Sequence, residues 1–299
     1  MASPTDTGSD AVRCIELRWQ GEPEAICSWV VDGSILVDPG PASCVEALVA
    51  QLDGEPELVL LTHVHLDHAG ASGALARRFP SARFAIHRSA VRHLEDPSRL
   101  LASASRVYGD RLEELWGSVE PVPGERIVAL DGGDEIDGFE VLATPGHAAH
   151  HLTYVHPASG TAFTGDVAGV RSTRAREAFP PTPPPQVDVP AWLESIEALR
   201  ERRPERLALT HFGAYEDVSH HLSTVAENLR RWAALAREVD AVEFERRIRE
   251  QIRASGPAGA GDAIERGLGP DHCWAGLDRY WSTRADEAGT LTDLKEAKA

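Results

Sequence analysis

The sequence predicts an α/β sandwich, two packed β-sheets with helices outside them, followed by a helical C-terminal extension. Three observations point there. Short strand-like runs alternate with helical patterns over most of the chain. Histidines and aspartates stand just past the ends of several short apolar runs, where a sandwich of sheets gathers its loops at one edge. Beyond Gly213 the apolar residues recur at three- and four-residue steps, the spacing of amphipathic helices. These patterns divide the chain into a sandwich domain at residues 1–215 and a helical extension at 216–299 packed on the same core.

Residues 2–10 are small and polar and read as a frayed terminus. Strand-like runs follow at Val12–Trp19, Ile26–Val31 and Ser34–Val37, with Asp32-Gly33 as the hairpin turn between the last two. Asp38-Pro39-Gly40-Pro41 ends that hairpin and leads to a helix over Ser43–Leu52. The apolar run Leu58–Leu61 is a strand, Ala69–Phe79 a helix, Phe84–His87 a strand and Leu100–Trp116 a helix. Glu125–Leu130, Asp134–Ile136, Phe139–Ala143 and Leu152–His156 are strands, as are the runs before Asp166 and His211. Val218–Val239 carries Leu222, Val225, Leu229, Trp232 and Leu235 on one stripe, and Val242–Ile252 continues the pattern. After Ser255–Gly261 a last helix carries Trp274, Leu277, Tyr280 and Trp281, as core residues or as a dimerisation face with a second copy of the chain.

The densest chemistry is Thr62-His63-Val64-His65-Leu66-Asp67-His68, directly after an apolar strand. Neutral imidazole and carboxylate suit zinc and similar divalent ions. His63 and His65 alternate on an extended chain and project to one side, while Asp67 and His68 can face a second position. Three later segments add donors, each just past a strand: Thr144-Pro145-Gly146-His147, Phe163-Thr164-Gly165-Asp166 and Leu209-Thr210-His211. His151 is either an orienting group for this edge or a plain strand residue.

With these residues in this order, the chain resembles the metallo-β-lactamase fold superfamily, and its glyoxalase-II-like branch in particular. The resemblance runs from about Val12 to Gly213. It implies a four-layer αββα sandwich with a C-terminal helical extension and two divalent metal ions, zinc first, with iron or manganese as alternatives. His63, His65 and His147 would hold one ion, Asp67, His68 and His211 the other, with Asp166 bridging. The implied activity is hydrolysis of a small ester, thioester or lactone by a metal-bound hydroxide, with Asp67 also orienting the nucleophile and taking its proton. Two departures bear on this. Zinc β-lactamases generally lack an acid equivalent to Asp166, and none of Cys14, Cys27, Cys44 and Cys273 lies near the motif. Two other classes share the fold: a mononuclear iron dioxygenase of the persulfide-oxidising kind, with fewer ligands, and a non-catalytic binding protein.

The segment after Asp166 is individual. Arg171, Arg174 and Arg176 precede Phe179-Pro180-Pro181-Thr182-Pro183-Pro184-Pro185, which reads as a stiff extended loop near the metal edge. The arginines either grip a substrate carboxylate or pair with surface acids. Tyr215 either aims its hydroxyl at a developing oxyanion or is buried. A formal charge of −17 argues against nucleic-acid partners. No long apolar run suggests a membrane span, and no signal-peptide pattern stands in the first twenty residues, so a cytoplasmic enzyme acting on a small molecule is expected.

Overall fold

The computed structural model describes residues 11–296. The expected class is observed: two mixed sheets packed with helices, and helices at the C-terminal end. β1 (Val12–Glu16), β2 (Cys27–Val31) and β3 (Ile35–Val37) are antiparallel neighbours. Asp32 and Gly33 both have positive φ, 49° and 77°, in the tight turn whose three residues separate the paired Val31 and Ile35. β4 (Leu58–Leu60), β5 (Arg83–His87) and β6 (Ile127–Leu130) then join in parallel, so the first sheet has the order β1 to β6. Parallel strands are covered on both faces, and Leu58, Val59 and Leu60 are all fully buried.

The second sheet contains β7 (Glu135–Ile136), β8 (Phe139–Ala143), β9 (Leu152–His156), β10 (Thr161–Phe163), β11 (Arg206–Ala208) and β12 (Ala214–Tyr215). Only β10 and β11 pair in parallel among its registered strand pairs. Side-chain alternation decides what each face of the first sheet meets. Trp29, Val31, Leu58 and Leu60 pack with Phe139, Val141, Tyr154 and Phe163 of the second sheet. Val30, Leu36, Val59, Phe84 and Ile86 point the other way, onto a helical layer. That layer comprises α1 (Val45–Val49), α2 (Leu66–Ala69), α3 (Ser72–Arg78), α4 (Val91–Glu95), α5 (Ser98–Tyr108) and α6 (Leu112–Trp116).

Contacts separate the described chain into two compact units. The first holds both sheets and α1–α6: the chain up to Ala143, Leu152–Gly165 and Pro204–Ala214. The second holds Thr144–His151, Asp166–Arg203 and the chain from Tyr215 onward. The last of these breaks falls between Ala214 and Tyr215, and the second unit also takes in two earlier segments.

In the second unit, α7 (Val189–Glu201) starts at an Asp188 side chain that accepts from the Ala191 amide. α8 (Val218–Glu238) buries Leu222, Val225, Leu229 and Trp232, while Leu235 is half-buried. α9 (Ala241–Ala254) buries Phe244, Ile248 and Ile252; α10 (Asp262–Leu268) and α11 (Pro270–Glu296) follow. Phe179 stacks on Trp232 at 5.8 Å between ring centroids.

Several boundaries differ from expectation. The first strand ends at Glu16 because Arg18 and Gln20 adopt positive φ. The helix expected over Leu100–Trp116 breaks at Gly109, which takes φ 53° between α5 and α6. The helix expected from Ala69 begins at Leu66 and is interrupted near Gly70, where a Cβ would meet the Leu66 carbonyl oxygen and the Pro41–Ala42 backbone. The short α4 and α10 carried no periodic signal.

Candidate metal centre

Strand ends position the donors. β3 and β4 run parallel, so their C-terminal ends share one edge, and Asp38 follows one while Thr62-His63 follows the other. The chain stays extended to His65 and then enters α2, whose single turn carries Asp67 and His68. His211 leaves β11 at the corresponding end of the second sheet, after Thr210.

Within the first unit these side chains converge. The rings of His63 and His65 are 4.4 Å apart and those of His63 and His68 are 4.1 Å apart. Asp67 Oδ2 lies 3.2 Å from His211 Nε2 and 3.6 Å from His68 Nε2. Asp67, His68 and His211 thus offer one donor atom each, all within 4.8 Å of one another. His63 and His68 are fully buried, whereas Asp67 and His211 are half-buried.

The imidazoles are held in one orientation. His68 Nδ1 donates to Asp38 Oδ2 at 2.8 Å, and His211 Nδ1 donates to the Ala25 carbonyl at 2.7 Å. A carbonyl or carboxylate oxygen only accepts, so a proton sits on Nδ1 of each ring, which leaves Nε2 as the atom that faces Asp67. Imidazole nitrogens presented this way beside a carboxylate are the donor chemistry a divalent ion requires.

Asp38 is the hub that sequence reading missed. Its buried carboxylate accepts from the Thr62 amide (2.8 Å), Thr62 Oγ1 (2.7 Å), Thr210 Oγ1 (2.9 Å) and His68 Nδ1. A signal existed: Thr62-His63 and Thr210-His211 repeat one dipeptide, and Asp38 is an acid at a strand end.

His147 and Asp166 belong to the second unit, where His147 Nε2 lies 3.2 Å from Asp166 Oδ2. His147 Nδ1 donates to the Pro181 carbonyl at 2.8 Å, so the proline loop does run beside this residue. His151, expected either as an orienting group or as a plain strand residue, lies just before β9 and not in it. It is fully buried, its Nδ1 bonds Thr144 Oγ1 at 2.8 Å, and its Nε2 accepts from the Asp166 amide at 3.2 Å. Two more rings hold the loop after Asp166: Trp192 Nε1 donates to the Val167 carbonyl and His221 Nε2 to the Ala168 carbonyl, both at 2.8 Å. Burial pushes the His221 pKa down to about 4, so it is neutral.

The loop arginines differ among themselves. Arg171 makes a two-pronged bond to Asp217 at 2.8 and 3.0 Å and lies over the Tyr215 ring at 4.8 Å. Burial opposes ionisation of Asp217, yet the hydrogen bond and charge of Arg171 outweigh it and hold the carboxyl pKa low. Tyr215 is buried, and its hydroxyl donates to the Arg171 carbonyl. Arg174 and Arg176 are exposed, and Arg174 reaches the Ala258 carbonyl at 3.2 Å.

Residues 23–211 match the model of the Metallo-beta-lactamase superfamily. The metallo-beta-lactamase fold-containing protein ST1585 of Sulfurisphaera tokodaii is 27% identical over 64% of this chain and 74% of that protein. A hydroxyacylglutathione hydrolase of Aeromonas hydrophila is 32% identical over 44% of this chain, a stretch that spans 41% of that hydrolase. The crystal structure of ST1585, described as an archaeal metallo-beta-lactamase superfamily protein from Sulfolobus tokodaii, superposes with a TM-score of 0.69. That comparison covers 90% of this chain and 99% of the other at 23% identity, which is a likeness of fold.

Proposed function

Since the chain belongs to the metallo-beta-lactamase superfamily, we propose that it is a binuclear metal-dependent hydrolase of a small ester, thioester or lactone. The observation that carries this reading is the Asp67, His68 and His211 group, whose donor atoms lie within 4.8 Å of one another. The family pattern assigns these three residues to one ion, His63, His65 and His147 to another, and Asp166 to both. Zinc fits this nitrogen and carboxylate donor set, as do iron and manganese. The relatives that carry the name hydroxyacylglutathione hydrolase favour an acyl thioester among the candidate substrates.

When bound, divalent ions would lower the pKa of water to roughly 7 and polarise the substrate carbonyl. The chain's own residues do the rest. Ala25 and Asp38 keep His211 and His68 in the tautomer that presents Nε2. Asp67, half-buried where its neighbours His63 and His68 are sealed, orients the nucleophile and takes its proton on the carboxylate. A substrate carboxylate would be met by the exposed Arg174 and Arg176.

The test combines elemental analysis with a panel of esters, thioesters and lactones offered to zinc- and manganese-loaded protein. Close to two ions per chain with turnover of at least one class is the expected result. A single tightly held iron with oxygen uptake and no hydrolysis would replace the hydrolase with a dioxygenase.

A further inference from the structure

The ring of His147 is oriented by a main-chain carbonyl, that of Pro181, in a segment that can do little to hold itself. Five of the seven residues Phe179–Pro185 are proline. Each proline lacks an N–H, so the strap has few donors with which to fix its own position. Phe179 at its start is pinned by paired backbone bonds to Val170, and the prolines beyond it rest on neighbouring elements.

α11 is such an element: besides Arg279 Nε, which donates to the Pro185 carbonyl at 3.4 Å, it acts at two places that lead to His147. Thr182, adjacent to Pro181, is fully buried and its Oγ1 donates to the Cys273 carbonyl at 3.1 Å. One helical turn on, Gly276 lies so close to the strap that a Cβ there would overlap the Thr182 carbonyl oxygen. The second point is Arg284, whose Nη2 lies 3.2 Å from both carboxylate oxygens of Asp188. The Asp188 amide donates to the carbonyl of Gly146, the residue before His147, at 2.8 Å. One arm sets the ring of His147 and the other its backbone.

We propose that α11 is a positioning element for His147, acting on the proline strap through Gly276 and the Cys273–Thr182 bond, and on the Gly146 carbonyl through Arg284 and Asp188. This rests on the reading of His147 as a metal ligand. The C-terminal helix then tunes one ion without touching it, and residues more than a hundred positions from the ligand govern its affinity.

The test compares full-length Thr182→Val, Thr182→Ser and Gly276→Ala with the unaltered chain. Cobalt(II) titration followed by visible absorption reads ion affinity. Long-range ¹H–¹⁵N spectra of the metal-free proteins read the tautomer of His147, assigned with His147→Gln. Thr182→Val and Gly276→Ala should weaken one of the two cobalt ions about 10–100-fold, the usual range for losing an orienting partner. They should also mix the tautomers of His147 and leave the far-ultraviolet circular dichroism unchanged. Thr182→Ser, which keeps the hydroxyl, should behave as the unaltered chain. Unchanged cobalt affinity and an unchanged tautomer in Thr182→Val would overturn the proposal. If Gly276→Ala fails to fold, the two Thr182 variants decide alone. If the unaltered chain takes up no cobalt, the ligand reading falls, and the tautomer comparison still decides the role of the strap.

Discussion

Asp67 and Asp38 are both carboxylates beside His68, and their surroundings give them different work. Asp67 is half-buried and faces two imidazole Nε2 atoms, whereas Asp38 is sealed and spends its oxygens on four donors. Asp67→Asn keeps the shape but removes the charge and the proton acceptor. It should retain metal and fold while kcat falls by about 10²–10⁴, the range of general acid–base catalysis. A wild-type rate in metal-quantified Asp67→Asn would reduce Asp67 to a ligand. Asp38→Ala should instead act on stability, because it strands buried donors on Thr62, Thr210 and His68. A loss of about 3 kcal/mol or more in urea unfolding is expected. His221 supplies a pH dependence. Its native pKa of about 4 lies below the unfolded value of 6.5. The stability tied to it is therefore complete above about pH 6.5 and is lost as pH falls toward 4. The difference corresponds to about 3 kcal/mol. His221→Gln, which keeps a donor for Ala168, should flatten that part of the stability profile of the metal-free protein. Parallel profiles would show that His221 takes no part in it.

At the scale of elements, the segment after Asp166 separates into a fixed and an exposed part. Arg171 is engaged by Asp217, Ala175 and the Tyr215 ring, while Arg174 and Arg176 face solvent. If the exposed pair meets a substrate carboxylate, Arg174→Ala with Arg176→Ala should raise KM for acidic substrates roughly tenfold or more. A lost charge-assisted hydrogen bond of about 1.5–3 kcal/mol has that effect. Neutral esters should be nearly unaffected, and equal changes in both substrate sets would make these arginines solvated surface groups. Elements were legible where a local pattern marks them. The Asp32-Gly33 turn, the Leu152–His156 strand and the α8 stripe all lie where periodicity places them. The breaks at Gly70 and Gly109 were not legible, nor were α4 and α10. Their limits come from chain crowding and short turns, which leave no repeat to count.

For the whole molecule, the proposed metal binding would link the ion to stability. A group that binds only the native state stabilises it by mass action, about 2.7 kcal/mol at a hundredfold excess over Kd. Chelation should therefore lower the midpoint of thermal unfolding, and added zinc should restore it in a concentration-dependent way. Identical melting of chelated and zinc-loaded protein would mean that no ion binds the native chain. Among the described residues no helix is long and apolar enough to cross a membrane. The formal charge of −17 sets a long-range field that favours cations.

The sequence by itself determined the donor types, their order and the strands that precede them. Side-chain chemistry and a two-residue strand period are local properties, readable from neighbours alone. Tertiary structure decided which acceptor each imidazole Nδ1 finds. His68 finds Asp38, His211 finds Ala25 and His147 finds Pro181, each many residues away along the chain. Those partners meet because strands pair at particular registers and loops leave at shared edges. The same long-range packing gave Tyr215 and Arg171 to the protein's own groups. Only the folded chain states which polar group a given nitrogen or hydroxyl reaches, because a hydrogen bond depends on separation in space and an amino-acid sequence records separation along the chain.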